Sequence, residues 1–180
     1  MNRRKLQLVL VIGVVSLLSA VGVAVATGGR GDIREELTGY AETPLALSTP
    51  ANGDFKLDID RSRQELNYRL RYEGFVTPVL QAHIHFGSES QSGGISVFLC
   101  SNLGNGPAGT PACPTPSGTV SGTLRAADVI GPAGQGIAAG EFNELVAAIR
   151  AGYTYANVHS MERPAGEIRA QLEDDDDRDD

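Results

Sequence analysis

Apolar and polar residues alternate along much of this chain with a period of two. Phe55, Leu57 and Ile59 interleave with Lys56, Asp58 and Asp60, the pattern of a strand with one face in a core and the other in water. Leu66, Tyr68, Leu70 and Tyr72 interleave in the same way with Asn67, Arg69 and Arg71, after a link through Arg61, Ser62 and Arg63. The two segments together predict a hairpin. Leu80, Ala82, Ile84 and Phe86 make the next apolar face, and its reverse carries Gln81, His83 and His85. From Gly94 to Cys100 the chain is apolar on both sides, which suits a more deeply buried strand. Further strands are predicted at Val120 to Leu124, Tyr153 to His159 and Gly166 to Leu172, the last two joined by a turn from Ser160 to Ala165 that contains Pro164.

One segment breaks the period. Phe142, Leu145, Val146 and Ile149 fall at i, i+3, i+4 and i+7, the stripe of an amphipathic helix. It is expected to run from about Glu141 to Ala151, with Glu141 in the first turn, Arg150 in the last and Gly152 in the left-handed position beyond the end. Short strands separated by turn residues, with a single helix near the C-terminal end, predict an all-β fold. That fold is a mainly antiparallel sandwich or barrel with Greek-key-like connections, one end capped by the helix.

The two ends read differently. Arg3, Arg4 and Lys5 precede an uncharged apolar stretch from Leu6 to Ala26 that closes on Ala24-Val25-Ala26, as a cleavable export signal does. The same stretch is long enough for an uncleaved membrane anchor. Either way the rest of the chain is expected outside the cytoplasm, secreted or held at the membrane through this segment alone. The expected organisation is a leader over 1–26, a flexible linker over 27–34, one β domain over 35–172 and a disordered acidic tail over 173–180, where like charges repel.

Net charge narrows the partners. The formal charge is −7, and loss of the leader removes three cations and no acid, giving −10. Nucleic acid is therefore a poor partner, because phosphate binding needs a basic patch. Cys100 and Cys113 are the two cysteines and flank a loop rich in Gly, Pro and Asn. In an exported protein they predict a disulfide rather than a thiol metal site.

Several motifs carry a family resemblance. The stretch LTGYAETP, the histidine motif AHIHFG, the helix and the closing YANVHSMERPAGEIRAQL resemble the CHRD (chordin-type) domain, approximately from Glu35 to Leu172. The pairing of Asn157-Val158-His159 with Gly166-Glu167-Ile168-Arg169 is its most specific part. Ser160 stands where threonine is common, Ala165 and Ala170 where glycine is common, and the insert around Asn102 to Pro116 is longer than the minimal pattern. The resemblance implies an extracellular β domain of the kind found in chordin and in many bacterial secreted proteins, with no established enzyme activity.

The histidines are the constellation with chemical promise. His83 and His85, two apart on a strand, share a face. Tyr153, Tyr155, Asn157 and His159 share another, as do Glu167, Arg169 and Gln171 on the last strand. A register that sets His159 opposite Glu167 also sets Asn157 opposite Arg169, and all three histidines of the chain then converge if AHIHFG neighbours that hairpin. Three neutral imidazoles suit copper or zinc, with Glu167 as a carboxylate behind one of them. AHIHFG also resembles a strand of copper/zinc superoxide dismutase, although the further histidines and the aspartate of a two-metal site are missing. The competing reading has the histidines bonded to Glu167, Asn157 and carbonyls as a device that fixes register, and Glu167 with Arg169 as a cross-strand ion pair. No serine or cysteine is placed as a nucleophile, so no catalytic residue is assigned. Two function classes follow: a non-enzymatic module that binds an extracellular protein or surface component through loops or the polar sheet face, and a copper- or zinc-binding protein built on His83, His85 and His159.

Overall fold

The computed structural model describes residues 31–173. The expected leader and nearly all of the acidic tail lie outside the described residues. Every period-two segment forms a strand. These are β2 (Asn52–Asp60), β3 (Glu65–Glu73), β4 (Val79–Phe86), β5 (Gly94–Ser101), β6 (Gly118–Leu124), β7 (Thr154–Ser160) and β8 (Ile168–Leu172), with helix α1 at Phe142–Arg150. One strand precedes them. β1 (Gly31–Thr38) takes up residues 31–34 of the expected linker, because Ile33 and Leu37 are fully buried and anchor it on the core.

The strands form one eight-stranded antiparallel sheet in the order β5-β4-β7-β8-β1-β2-β3-β6. The sheet curls until its end strands β5 and β6 meet, so the fold is a nearly closed barrel rather than two separate sheets. At the seam the Tyr68 hydroxyl on β3 donates to the Leu99 carbonyl on β5 over 2.6 Å. β4, β5 and β6 follow one another around the ring and β3 lies beside β6, which is a Greek-key arrangement.

The alternation accounts for the core. Phe55, Leu57 and Ile59 from β2, Leu66, Tyr68, Leu70 and Tyr72 from β3, and Ile168, Ala170 and Leu172 from β8 all turn inward. Phe142, Leu145, Val146 and Ile149 of α1 join the same apolar cluster, so the helix stripe closes the core as its spacing predicts. A register irregularity between Val79 and Gln81 makes Val79 the buried residue at the start of β4 and leaves Leu80 half-exposed. Cys100 and Cys113 form a disulfide. The insert they bracket is tied down again by Asn102, which accepts from the Cys113 amide and donates to the Val79 and Cys113 carbonyls.

Candidate metal centre

β4 pairs with β7, and β7 with β8, in the register that the histidine pattern requires: His83 lies opposite Asn157, His85 opposite Tyr155, and Asn157 opposite Arg169. His159 lies opposite Gln81 and therefore reaches His83 on the diagonal, the second-closest relation across an antiparallel ladder. Ala82, Ile84, Ala156 and Val158 point into the core from the same two strands. Alternation then sends His83, His85, Asn157 and His159 to the outer side.

That outer side is not open to water. His83 is 0 % exposed, His85 7 % and His159 5 %. One ring nitrogen from each histidine lies within 4.8 Å of those of the other two. Nδ1 of His83 stands 3.2 Å from Nε2 of His159. Two nitrogens bound tetrahedrally to one ion at zinc–imidazole bond lengths are about 3.3–3.4 Å apart.

Hydrogen bonds set the protons on two rings. Nδ1 of His85 lies 3.0 Å from the Gly93 carbonyl and Nδ1 of His159 lies 3.1 Å from the Pro164 carbonyl. A carbonyl only accepts, so both nitrogens carry hydrogen and both Nε2 atoms keep a lone pair. In the neutral cluster His83 donates from Nδ1 to His159 and its own Nε2 is bare. Nε2 of His83 and Nε2 of His85 are then buried without a hydrogen-bond partner, a costly state for polar atoms unless another group takes them up. Burial, reinforced by the mutual repulsion of the rings, pushes the basicity of His83 far below that of a free imidazole. Burial likewise pushes His85 down to about 4, with Arg169 adding to the shift, and His159 down to about 4, with His85 adding to it. All three rings are thus unprotonated at neutral pH, as metal ligation demands.

An aromatic and polar collar holds the rings. Tyr155 stacks flat on His85 with ring centroids 4.9 Å apart and 4° between planes. Phe98 presents a perpendicular ring to His83 at 4.4 Å. Gly93 serves both neighbours, its carbonyl accepting from His85 and its amide donating to the Tyr155 hydroxyl over 2.9 Å. Only glycine fits there, because a Cβ would lie 1.7 Å from the Phe86 carbonyl oxygen. The Arg169 guanidinium lies 3.5 Å from the Tyr155 ring centroid and donates to the Ser88 and Gln91 carbonyls.

Three expectations need correction. Glu167 does not back a histidine: its carboxylate accepts from Thr49 over 2.6 Å and from Ser160. Arg169 is occupied by Tyr155 and by the loop carbonyls of 88–91, so the expected ion pair with Glu167, two residues away on the same segment, is replaced by contacts to the covering loop. Tyr155 is 4 % exposed rather than part of a wet face, while Tyr153 is exposed. The common cause is a second layer that pattern alone does not reveal. Segments 39–50 and 87–93 fold over the polar face, supplying Thr49, Gly93 and Glu42, whose Oε1 accepts from Asn157 over 2.6 Å. Glu42 lies in the LTGYAETP motif and Gly93 in a Gly-Gly pair, so their motifs were visible in the sequence while their contacts were not.

Residues 33–172 match the family described as the CHRD domain. No curated protein and no solved structure matches the chain.

Proposed function

The chain belongs to the CHRD domain family, and we propose that it is a non-enzymatic β module whose working feature is a copper or zinc centre held by His83, His85 and His159. The observation that carries this reading is the convergence of three buried, neutral imidazoles, with Nδ1 of His83 and Nε2 of His159 at the spacing of two ligands of one ion and Nε2 of His85 lacking any partner. A device that only fixed strand register would satisfy its own buried nitrogens. The Gly93 and Pro164 carbonyls orient two of the rings in the manner of outer groups that fix a metal-binding tautomer. A bound ion would cross-link β4 to β7 and supply either a structural tie or one-electron chemistry, according to the metal. The disulfide between Cys100 and Cys113 and the basic-apolar leader support action outside the cytoplasm.

Elemental analysis of the purified protein and melting with added Cu or Zn test the proposal. A ligand at 100 times its Kd stabilises by about 2.7 kcal/mol, which for a domain of this size raises Tm by roughly 5–10 °C. Both the metal content and the shift are expected to vanish in His85→Ala. A His85→Ala protein that loses stability with unchanged metal content would falsify the assignment.

A further inference from the structure

Resting on the three-histidine reading, we infer that the centre is selective for Cu(I) over Zn(II) and Cu(II), and that Arg169 is the residue that sets this preference. The ligand set is three uncharged imidazoles. None of the carboxylates near the same face is bonded to a histidine: Glu167 accepts from Thr49 and Ser160, Glu42 accepts from Asn157, and Glu42 and Glu89 interact with Arg169. The charge that acts directly on His85 is a cation, Arg169, partly offset by Glu42 and Glu89, and seated on the Tyr155 ring that stacks on His85.

The penalty for burying an ion grows with the square of its charge, so a divalent ion pays about four times what a monovalent ion pays before any compensation. Neutral ligands give no charge compensation, and the neighbouring guanidinium repels a divalent ion twice as strongly as a monovalent one. Coordination number points the same way. Zinc held by three protein ligands completes its tetrahedron with a water or other fourth donor, whereas a d10 monovalent copper ion is satisfied by two or three nitrogens. Phe98 packs on His83 and Tyr155 on His85, so the rings beside the cluster are aromatic and bring no further donor of their own. Arg169 is thus a positioning and tuning residue that acts through Tyr155 without touching the metal.

The test uses the full chain, with Cu(I) presented in competition with bicinchoninate and Zn(II) in competition with a chromophoric chelator, followed by voltammetry of the copper form. One Cu(I) per chain is expected, bound at least about 1,000-fold more tightly than Zn(II), a difference near 4 kcal/mol. Arg169→Met is expected to lower the Cu(I)-to-Cu(II) affinity ratio on the order of tenfold, seen as a fall in midpoint potential, and Arg169→Lys is expected to restore most of it. Zinc binding equal to or tighter than Cu(I) binding overturns the selectivity while leaving the three-histidine centre in place. Failure to retain either metal removes both. If Arg169→Met fails to fold, Arg169→Lys and the wild-type affinity ratio decide; an unshifted potential in a folded Arg169→Met protein removes the tuning role.

Discussion

At the scale of single residues the histidines present a protonation problem with a definite sign. Each ring titrates lower in the fold than in the unfolded chain, where a histidine has a pKa of about 6.5, because burial penalises the imidazolium. The unfolded chain therefore binds more protons below that pH, and stability falls as pH drops from about 6.5 towards about 4. Metal-free protein is expected to lose on the order of 2–3 kcal/mol for each of His85 and His159 across that window. Glu42 works in the opposite direction, since burial raises its carboxyl and favours the protonated form on acidification. One neighbouring carboxyl offsets only part of the loss. Urea midpoints measured at pH 7 and pH 5 in the presence of a chelator check this. A flat profile would show that the rings are hydrated, which the burial of His83 and its partners does not allow.

At the scale of elements, what the sequence revealed depended on periodicity. β2 and β3 alternate without interruption and pair as a hairpin from Asn52↔Glu73 to Asp60↔Glu65. α1 falls within one residue of its expected bounds. β1 escaped, because Gly31-Asp32-Ile33-Arg34-Glu35-Glu36-Leu37 spreads two apolar residues among charges and reads as solvated chain; only its place between β2 and β8 explains it. The histidine cluster was legible for the same reason as β2, since period two and one register suffice to bring the rings together. Its collar was not, because segments 39–50 and 87–93 have no period and owe their position to contacts with residues far along the chain. The insert between β5 and β6 is the element whose stability rests on a covalent tie. Cys100 and Cys113 have Cα atoms 5.0 Å apart, and closing a loop of this size stabilises by about 3 kcal/mol on the chain-entropy argument. Cys100→Ser/Cys113→Ser is expected to lower the urea midpoint accordingly while keeping metal content unchanged. A drop in bound metal would instead tie the insert to the centre.

At the scale of the whole molecule, the described domain begins with β1 and ends with β8, and the two are neighbours in the barrel, with Thr38 opposite Arg169. Among the described residues no helix is long and apolar enough to cross a membrane. N-terminal sequencing of protein recovered from its native compartment is expected to start near Thr27, after Ala24-Val25-Ala26. An intact Met1 in the membrane fraction would establish the anchor instead. The place of β8 decides when the three histidines come together. His83 and His159 are 76 residues apart in sequence, and β7 gains its second neighbour only when Ile168–Leu172, close to the end of the chain, takes its place beside β1. In an extended chain His159 is far from the His83-Ile84-His85 pair, so the three rings do not converge. If the chain is exported unfolded, the proposed centre can form only after the last strand has emerged, and any ion it took up would then come from the surroundings in which the barrel closes.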